Sequence, residues 1–239
     1  MADADDDAVK QIQLRIGDLA RSAARDAEPE IDDYEGLGGN IQVSDLPQHA
    51  RDRVPPGQRI TRGWPVLHVG GVPRFDESSW QLEVAGEVAA HVSLTYAELK
   101  ALPGMEMRSD FHCVTGWSKF DNYWTGVKVT TILDLATPRK SATHVSVGDG
   151  DEYTANLPLE VLLDDDVMVA WAHNGKDLAP KHGFPLRLVV PKYYGWKSVK
   201  WVRSFELIAA DRRGFWELRG YHNRADPWLE ERYSYQESR

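Results

Sequence analysis

Short runs in which apolar and polar residues alternate recur along the chain from residue 80, and most end at a turn or a short helix. Residues 80–86 (Trp-Gln-Leu-Glu-Val-Ala-Gly) alternate as a half-buried strand does. Thr95 and Glu98 have the spacing of a capping box, which predicts a helix over 95–102. Further strands are predicted at 91–94, 105–114, 143–147, 153–157, 167–171, 186–191 and 200–208, a strand-to-helix step at 127–135 and a helical turn at 159–163. Because strands and short helices interleave without a regular βαβ rhythm, the pattern indicates an α+β domain with mixed sheets.

The segments before residue 64 lack this alternation. Residues 1–35 are acidic and polar, although four apolar residues fall at helical spacing (Val9, Ile12, Ile16 and Leu19). A short amphipathic helix and a solvated leader are both open there, and the polar composition favours the leader. Residues 40–63 are proline-rich with few apolar anchors, which predicts an irregular arm over the main body. We therefore expect a leader and arm over 1–54 and one domain over 55–239, whose tail is wrapped and exposed.

Composition narrows the possible functions. The net charge of −9 disfavours nucleic acid as a partner, because an acidic surface repels phosphate backbones. The single cysteine permits no internal disulfide, which fits a reducing compartment. No apolar run approaches the roughly 20 residues of a membrane span, and no secretion signal opens the chain. The expectation is a cytoplasmic protein.

That single cysteine, Cys113, ends a predicted strand and is followed by a small turn and a tryptophan-rich loop. Side chains at such a strand end project into clefts, and N–H groups of the turn can stabilise a thiolate. An inert buried cysteine and a functional one both remain open. Zinc fits poorly, because no second cysteine or His-x-x-x-His pair accompanies it. Two other classes also remain: a hydrolase with Cys113 as nucleophile and His112, His144 or His173 as base, and a non-catalytic binding module.

A second concentration of candidate residues lies between positions 181 and 200. This segment is strongly basic in an otherwise acidic chain, with Lys181, His182, Arg187, Lys192, Lys197 and Lys200. Arginine and lysine are the residues that phosphate groups require, although such a run is also typical of a solvated face. Arg187 stands within an apolar strand, where an arginine needs an anionic partner. The segment therefore predicts an anion site.

Three ordered motifs carry a resemblance to a known family: Phe-His-Cys-Val-Thr-Gly-Trp-Ser at 111–118, His-Gly-Phe-Pro-Leu-Arg at 182–187 and Lys-Ser-Val-Lys-Trp at 197–201. Together they resemble the sulfite-oxidase-type molybdenum cofactor domain, in particular its small bacterial and archaeal oxidoreductase branch. The resemblance extends from about residue 55 to about residue 233. It implies the sulfite-oxidase-type molybdopterin-binding fold and a two-electron oxygen-atom transfer on a small sulfur- or nitrogen-containing substrate.

The resemblance also implies a cofactor, molybdenum–molybdopterin (Mo-MPT). Its metal is held by two dithiolene sulfurs of one pterin, one protein cysteine and terminal oxygen ligands. Cys113 matches that cysteine, and a thiolate is a strong soft donor. Further cofactor-binding positions are implied at His68, Asp149, His182, Arg187, Ser198, Val199 and Lys200, with Asp151 as a competing alignment for Asp149.

Two departures from the family concern the substrate. Leu67 stands where sulfite oxidases carry an arginine, and Trp171 where they carry a tyrosine near the metal. A less charged or larger molecule than sulfite is therefore expected. Trp171 and Tyr194 are expected to act at the reacting centre, and five aromatic residues to form the pocket walls (Trp117, Trp124, Trp171, Tyr193 and Tyr194). With no fused haem domain evident, the expected partner is a separate electron-transfer protein. The acidic surface of this chain would suit a partner with a basic surface.

Overall fold

The computed structural model describes residue 41 and residues 43–237 of the protein. The leader proposed over residues 1–35 lies outside this part of the chain. Two mixed β-sheets and a few short helices make up the described residues, which confirms the α+β expectation. Within them, no helix is both long enough and apolar enough to cross a lipid bilayer.

The first sheet has six strands and contains Cys113. Its strands are β1 (Arg59–Ile60), β4 (Gly104–Cys113), β5 (Trp117–Lys128), β8 (Met168–His173), β9 (Lys176–Asp177) and β10 (Arg187–Val189). The second sheet has five: β2 (Gln81–Gly86), β3 (Val92–Thr95), β6 (His144–Gly148), β7 (Thr154–Pro158) and β11 (Ser204–Ile208). In the first sheet β5 is the central element, because it pairs with β1, β4 and β8.

Helices occupy the connections between strands. They are α1 (Gln48–Arg51), α2 (Tyr96–Ala101), α3 (Val129–Ala136) and α4 (Leu159–Leu162), with 3₁₀ turns at Val43–Asp45, Pro180–His182, Gly195–Lys197, Glu217–Arg219 and Ser234–Gln236. The predicted capping box is present at α2, where Thr95 Oγ1 accepts from the Glu98 N–H and the Glu98 carboxylate accepts from the Thr95 N–H. Local sequence therefore determines where this helix begins.

Two hydrophobic clusters lie on opposite faces of the first sheet. The larger fills the space between the sheets and includes Leu82, Phe205 and Val169. The smaller contains Cys113, Trp64, Phe111, Trp117, Trp124 and Met168. Successive residues of β10 enter different clusters, Leu188 the larger and Val189 the smaller, because side chains alternate along a strand. Burial of each Val or Leu side chain in these clusters contributes roughly 1.5–3 kcal/mol to the stability of the fold.

Three local predictions need correction. The tryptophan-rich segment after the turn is the twelve-residue strand β5 rather than a loop. Its residues are buried on both faces, so the alternation that identifies a strand is missing from its sequence. The strand predicted at 200–208 covers only Ser204–Ile208. The tail does wrap around the body, but Phe215, Tyr221 and Ala225 are buried within it.

The arm also makes more contacts with the body than its composition predicts. Leu46, Ala50 and Ile60 form a small apolar cluster against Phe120 of β5. Arg53 pairs with the carboxylates of both Asp110 and Asp121, each at 2.5 Å. The arm thereby covers the outer side of the hairpin that carries Cys113.

Candidate active site

Cys113 is the last residue of β4, at the tip of the β4–β5 hairpin. The hairpin pairs Cys113 with Trp117 across a three-residue loop, closed by a hydrogen bond from the Gly116 N–H to the Cys113 carbonyl (3.0 Å). Gly116 has φ +86°, a left-handed conformation that glycine adopts without strain. The Thr-Gly sequence thus produces the predicted strand end and presents the thiol at its tip.

The Cys113 thiol is buried and lies close to Thr115. Its Sγ is 3.2 Å from the Thr115 Oγ1. Burial raises the pKa of the Cys113 thiol, and hydrogen bonds from the Thr115 side chain and backbone oppose that rise. Behind the loop, Gln58 Nε2 donates to the Cys113 carbonyl (3.2 Å) and anchors the hairpin to the arm. The thiol therefore has a fixed position with a hydroxyl donor beside it.

Arg187 is buried, and no carboxylate among the described residues pairs with it. Its Nη1 donates to the His182 carbonyl (3.0 Å), while its Nε has no hydrogen-bond partner among the described residues. The guanidinium carbon lies 5.3 Å from the Trp64 ring and 5.0 Å from the Phe111 ring. Burial lowers the pKa of Arg187 to about 10. A cation held this way needs an anion to compensate its desolvation.

Lys200 adds an amino group to this side of the cavity, and His182 adds an imidazole ring. Lys200 Nζ donates to the Leu67 carbonyl (2.8 Å) and the Lys181 carbonyl (2.9 Å), both neutral acceptors. Burial and the nearby Arg187 lower the pKa of Lys200 well below its ordinary value. The His182 ring stacks on Trp64 with 3.9 Å between ring centroids, and burial followed by the charge of Arg187 lowers its pKa to about 2. A bound anion would raise the pKa of Lys200 and of His182, because a nearby negative charge stabilises their protonated forms.

The Gly-Asp-Gly-Asp loop contributes one carboxylate, and the structure distinguishes the two candidates. Asp149 lines the same cavity as Cys113, and its Oδ1 accepts from the N–H groups of Asp151 (2.9 Å) and Tyr153 (3.2 Å). Burial raises the pKa of Asp149. Asp151 is exposed and outside the cavity lining. Of the two alignments, only Asp149 is placed to reach a molecule in the cavity.

One cavity brings these residues together. It is open to solvent and has a volume of about 190 Å³. Its lining includes seven of the predicted site residues: His68, Cys113, Asp149, His182, Arg187, Ser198 and Lys200. These positions come from four separate stretches of sequence, and only Asp149 among them carries a carboxylate. The cavity therefore brings a thiol and buried cations together.

Three predicted site residues lie elsewhere. The Val199 side chain is in the larger core, where its carbonyl accepts from the Leu188 N–H (2.8 Å). Trp171 belongs to that core too, with Lys100 Nζ 4.2 Å from its ring, so its side chain leaves β8 on the face away from Cys113. Tyr194 is fully buried behind the cavity wall and stacked on Trp196 (5.5 Å). The expectation that Trp171 and Tyr194 face the reacting centre is corrected accordingly.

The predicted pocket walls are corrected in the same way, since only Trp117 of the five aromatic residues lines the cavity. The aromatic walls instead include Trp64, Tyr153, Trp216 and Tyr221, none of which was predicted from the sequence. Tyr221 is the tyrosine that faces the thiol side, and burial raises its pKa. Trp216 and Tyr221 belong to the tail, and its mixture of arginine and aromatic residues was the available signal.

The histidines proposed as bases for a hydrolase do not hydrogen-bond the thiol. His112 Nδ1 lies 2.8 Å from the Ser118 Oγ, and His173 Nε2 lies 3.0 Å from the Asn122 Oδ1. His144 is on β6 of the second sheet, 3.9 Å from Asp211. This arrangement does not provide the nucleophile–base contact that thiol hydrolases require.

The donor set fits a pterin cofactor with a phosphate group. Arg187 and Lys200 offer buried positive charge and His182 a neutral ring, and the Arg187 Nε is a donor with no partner in the described chain. Trp117 also lines the cavity, and its buried Nε1 is a second donor without a hydrogen-bond partner among the described residues. Cys113 supplies a soft ligand in the same cavity. These groups match an anionic ligand that carries a thiophilic metal.

Comparison with known proteins gives a consistent result. The family described as oxidoreductase molybdopterin binding domain matches residues 69–216. The uncharacterized oxidoreductase YuiH of Bacillus subtilis is 44% identical over 184 residues, covering 77% of this chain and 93% of YuiH. The putative protein-methionine-sulfoxide reductase subunit YedZ1 of Azospira oryzae is 31% identical over 170 residues, which is 70% of this chain and 64% of the relative.

Two more distant similarities concern larger proteins. The NADH nitrate reductase of Volvox carteri is 27% identical over 185 residues, and the match spans only 21% of that enzyme. Among solved structures, the sulfane dehydrogenase SoxCD of Paracoccus pantotrophus aligns with a TM-score of 0.57 and 21% identity. That alignment covers 76% of this chain and 58% of the SoxCD chain, and it concerns the fold alone.

Proposed function

The chain belongs to the oxidoreductase molybdopterin binding domain family, and on that basis we propose that it catalyses a two-electron oxygen-atom transfer on a small sulfur- or nitrogen-containing substrate other than sulfite. The cofactor of this family is molybdenum–molybdopterin. When bound, it supplies the metal couple through which two electrons are exchanged. The protein's share is to hold the cofactor, shape the pocket and control access of water.

The observation that carries the proposal is the pairing of one thiol with uncompensated buried cations in a single cavity. Cys113 would be the protein ligand of the metal, and Thr115 Oγ1, 3.2 Å away, would donate a hydrogen bond to its sulfur. Arg187, Lys200 and His182 would bind the phosphate end of the cofactor. Asp149 and Ser198 line the same cavity and would contact the pterin.

The cavity wall near the thiol supports a substrate of low charge. Leu67, Val114 and Thr115 line this region, with Trp216 and Tyr221 from the tail. The names of two relatives mention methionine sulfoxide and nitrate, so sulfur and nitrogen oxides are the classes to examine. An apolar and aromatic wall favours a neutral S-oxide or N-oxide over a dianion such as sulfite. Tyr221 would contribute its hydroxyl in protonated form, since burial raises its pKa.

Metal and pterin content of protein expressed in a cofactor-producing host tests the proposal. Wild-type protein is expected to contain molybdenum and pterin in near-equal amounts. The Arg187→Met variant should lose most of both, because it removes a buried charge that faces the cofactor. Lys192→Met is the matched control, since Lys192 lies in the same basic segment but pairs with Asp164 at the surface. Molybdenum near background in the wild type would contradict the proposal.

Substrate class is tested next with the molybdenum-loaded protein. A panel of S-oxides and N-oxides is assayed with reduced viologen as electron donor, and sulfite with ferricyanide as acceptor. We expect turnover of neutral oxides and little oxidation of sulfite. Preferential oxidation of sulfite would refute the substrate part of the proposal while leaving the cofactor part intact.

A further inference from the structure

One long edge of the first sheet is open. β4 pairs with β5 along one side, and no other strand among the described residues pairs with its opposite side. The arm covers the end of this edge nearest Cys113, where Arg53 binds Asp110. The part of β4 that precedes Ser109 has no such cover in the described chain. An open strand edge can add a strand from another chain, because its main-chain groups are available for hydrogen bonds.

The direction of these main-chain groups follows from the neighbouring strand. The Tyr123 carbonyl of β5 accepts from the Asn174 N–H (2.8 Å), and the Tyr123 N–H donates to the Asn174 Oδ1 (3.0 Å), so both groups of Tyr123 point to the β8 side. Arg108 lies opposite Tyr123 in the β4–β5 ladder and therefore points its own N–H and C=O away from β5. The register does not shift in this part of the ladder, so Glu106, two positions earlier, points the same way. The outward main-chain groups of both residues have no hydrogen-bond partner among the described residues.

The side chains of this edge carry opposite charges at alternate positions. Glu106 and Arg108 are two residues apart, so they lie on the same face of the strand, and both are exposed. No cation among the described residues pairs with Glu106. Arg108 contacts Asp121 through its Nε and Nη2, which leaves its Nη1 available for a second carboxylate. The edge therefore offers one acidic group and one basic group to a partner strand.

A second copy of this chain fits the edge in one antiparallel register. With the two-fold axis at Met107, Glu106 of each copy lies opposite Arg108 of the other, and these two pairs exchange about four main-chain hydrogen bonds. Pairing centred on Glu106 or on Arg108 would place like charges opposite each other, which is unfavourable. Pairing centred on Met105 would leave both charges without an opposite one across the ladder. The charge pattern thus favours the Met107 register.

We propose that the outer edge of β4 is a self-association surface, at which two copies of this chain form an antiparallel ladder centred on Met107. The contact joins the first sheets of the two copies into one continuous sheet. The dimer is weak and reversible, because a single strand of each copy supplies a small interface. At about 3.3 Å per residue, Cys113 lies roughly 20 Å from the axis, so neither hairpin takes part in the cavity of the other copy. The inference does not depend on the proposed function.

Charge reversal tests the contact, with the dimer dissociation constant of the whole chain measured by sedimentation velocity. Glu106→Lys places a lysine opposite Arg108, and Arg108→Glu places a glutamate opposite Glu106. Each variant alone should therefore dimerise at least roughly tenfold more weakly than the wild type. Glu77→Lys is the matched control, because Glu77 is exposed and lies outside β4, and it should dimerise as the wild type does. Circular dichroism first shows that every variant keeps the wild-type fold.

A mixture of the two variants separates a direct contact from a general disturbance of β4. In a mixed dimer, the lysine of Glu106→Lys faces the glutamate of Arg108→Glu, and the unchanged Arg108 faces the unchanged Glu106. Opposite charges then meet at both positions, so the two variants should associate with each other about as tightly as the wild type does with itself. One variant carries a fluorescent label, which makes the mixed dimer visible in the same sedimentation experiment.

The register is tested by oxidation. Met107→Cys brings two thiols opposite each other across the axis, in a pair whose Cα atoms are about 4.5 Å apart, a separation that a disulfide spans. Mild oxidation should give a covalent dimer of Met107→Cys and little of Glu106→Cys, which faces Arg108 of the other copy. The wild type gives the background, because its single cysteine is buried.

Four results would overturn the inference. The first is a wild-type protein that stays monomeric at every concentration, and the second is a dimer that neither charge reversal weakens. The third is a mixture in which the two variants do not associate. The fourth is a Glu106→Cys variant that cross-links more readily than Met107→Cys, which would refute the register.

Discussion

Lys197 and Glu217 form an ion pair that lies wholly inside the protein. The Lys197 Nζ is 2.6 Å from the Glu217 Oε1, and the two side chains are 1% and 0% exposed. Lys197 also donates to the Asn156 carbonyl (2.7 Å) and to its Oδ1 (3.0 Å), while Glu217 Oε1 accepts from the Trp196 Nε1 (2.8 Å). The pair joins the tail, which supplies Trp216 and Tyr221, to the segment that supplies Trp196 and Ser198. It therefore holds two walls of the cavity together.

Removal of one partner leaves the other charge buried without compensation. In such pairs this costs about 3–5 kcal/mol, against a total stability of roughly 5–15 kcal/mol for a domain. Lys197→Met should therefore lower the free energy of unfolding by about 3–5 kcal/mol while leaving most of the protein folded. The double variant Lys197→Met with Glu217→Gln removes both charges and keeps an amide oxygen for Trp196. We expect it to be at least about 2 kcal/mol more stable than Lys197→Met alone.

The assay is equilibrium unfolding in urea, followed by tryptophan fluorescence and circular dichroism at constant pH. Coincident transitions from the two probes show that the two-state treatment applies. Arg212→Met is the control, because its partner Glu206 is a surface residue and exposed pairs contribute only about 0–1 kcal/mol. The reasoning would be refuted by a loss below about 1 kcal/mol in Lys197→Met. It would be refuted equally by a double variant less stable than either single variant.

Four further predictions concern the site and its supports. Burial lowers the pKa of both His112 and His173 from 6.5, to about 4 and about 3 respectively. Below pH 6.5 the unfolded chain therefore binds protons that the folded cofactor-free protein does not. Its free energy of unfolding, measured in urea, should therefore fall from pH 6.5 towards pH 4 by up to about 1.4 kcal/mol per pH unit for each histidine. The His173→Gln variant should show a smaller decrease per pH unit. An unfolding free energy that does not change with pH over this range would contradict the reasoning. Gly195→Ala would place a Cβ 2.3 Å from the Phe111 Cζ, and the Arg187 guanidinium lies over that ring. Cofactor content and thermal stability should therefore both drop. Gly71→Ala is the control, because open space surrounds Gly71, and it should leave both quantities unchanged. Thr115→Val should lower the molybdenum reduction potential, measured by redox titration, because the sulfur loses a hydrogen bond, and Thr115→Ser should restore it; equal potentials in all three proteins would count against the contact. Leu67→Arg adds a cation to the cavity lining, so sulfate should become a stronger competitive inhibitor in steady-state kinetics. An inhibition constant equal to that of the wild type would contradict this prediction.

The sequence alone was sufficient for the features that depend on neighbouring residues. The capping box set the start of α2, and the Thr-Gly turn placed Cys113 at a strand end. Arg187 within an apolar run predicted a buried cation, and the structure shows it buried in the cavity lining. Such features depend on local periodicity, turn chemistry and the cost of burying charge, all of which a short stretch of sequence expresses.

Tertiary structure decided which side chains of those elements meet. Trp171 and Met168 lie on the same short strand, yet they enter different cores because β8 has a sheet interior on one face and the Cys113 cluster on the other. Tyr221 reaches the cavity only because the tail folds back over the hairpin, where the Arg232 side chain and the Lys197–Glu217 pair hold it. Contacts between residues a hundred positions apart result from packing of the whole chain. No local pattern encodes them, so the sequence indicated the chemistry of the site but not its aromatic walls.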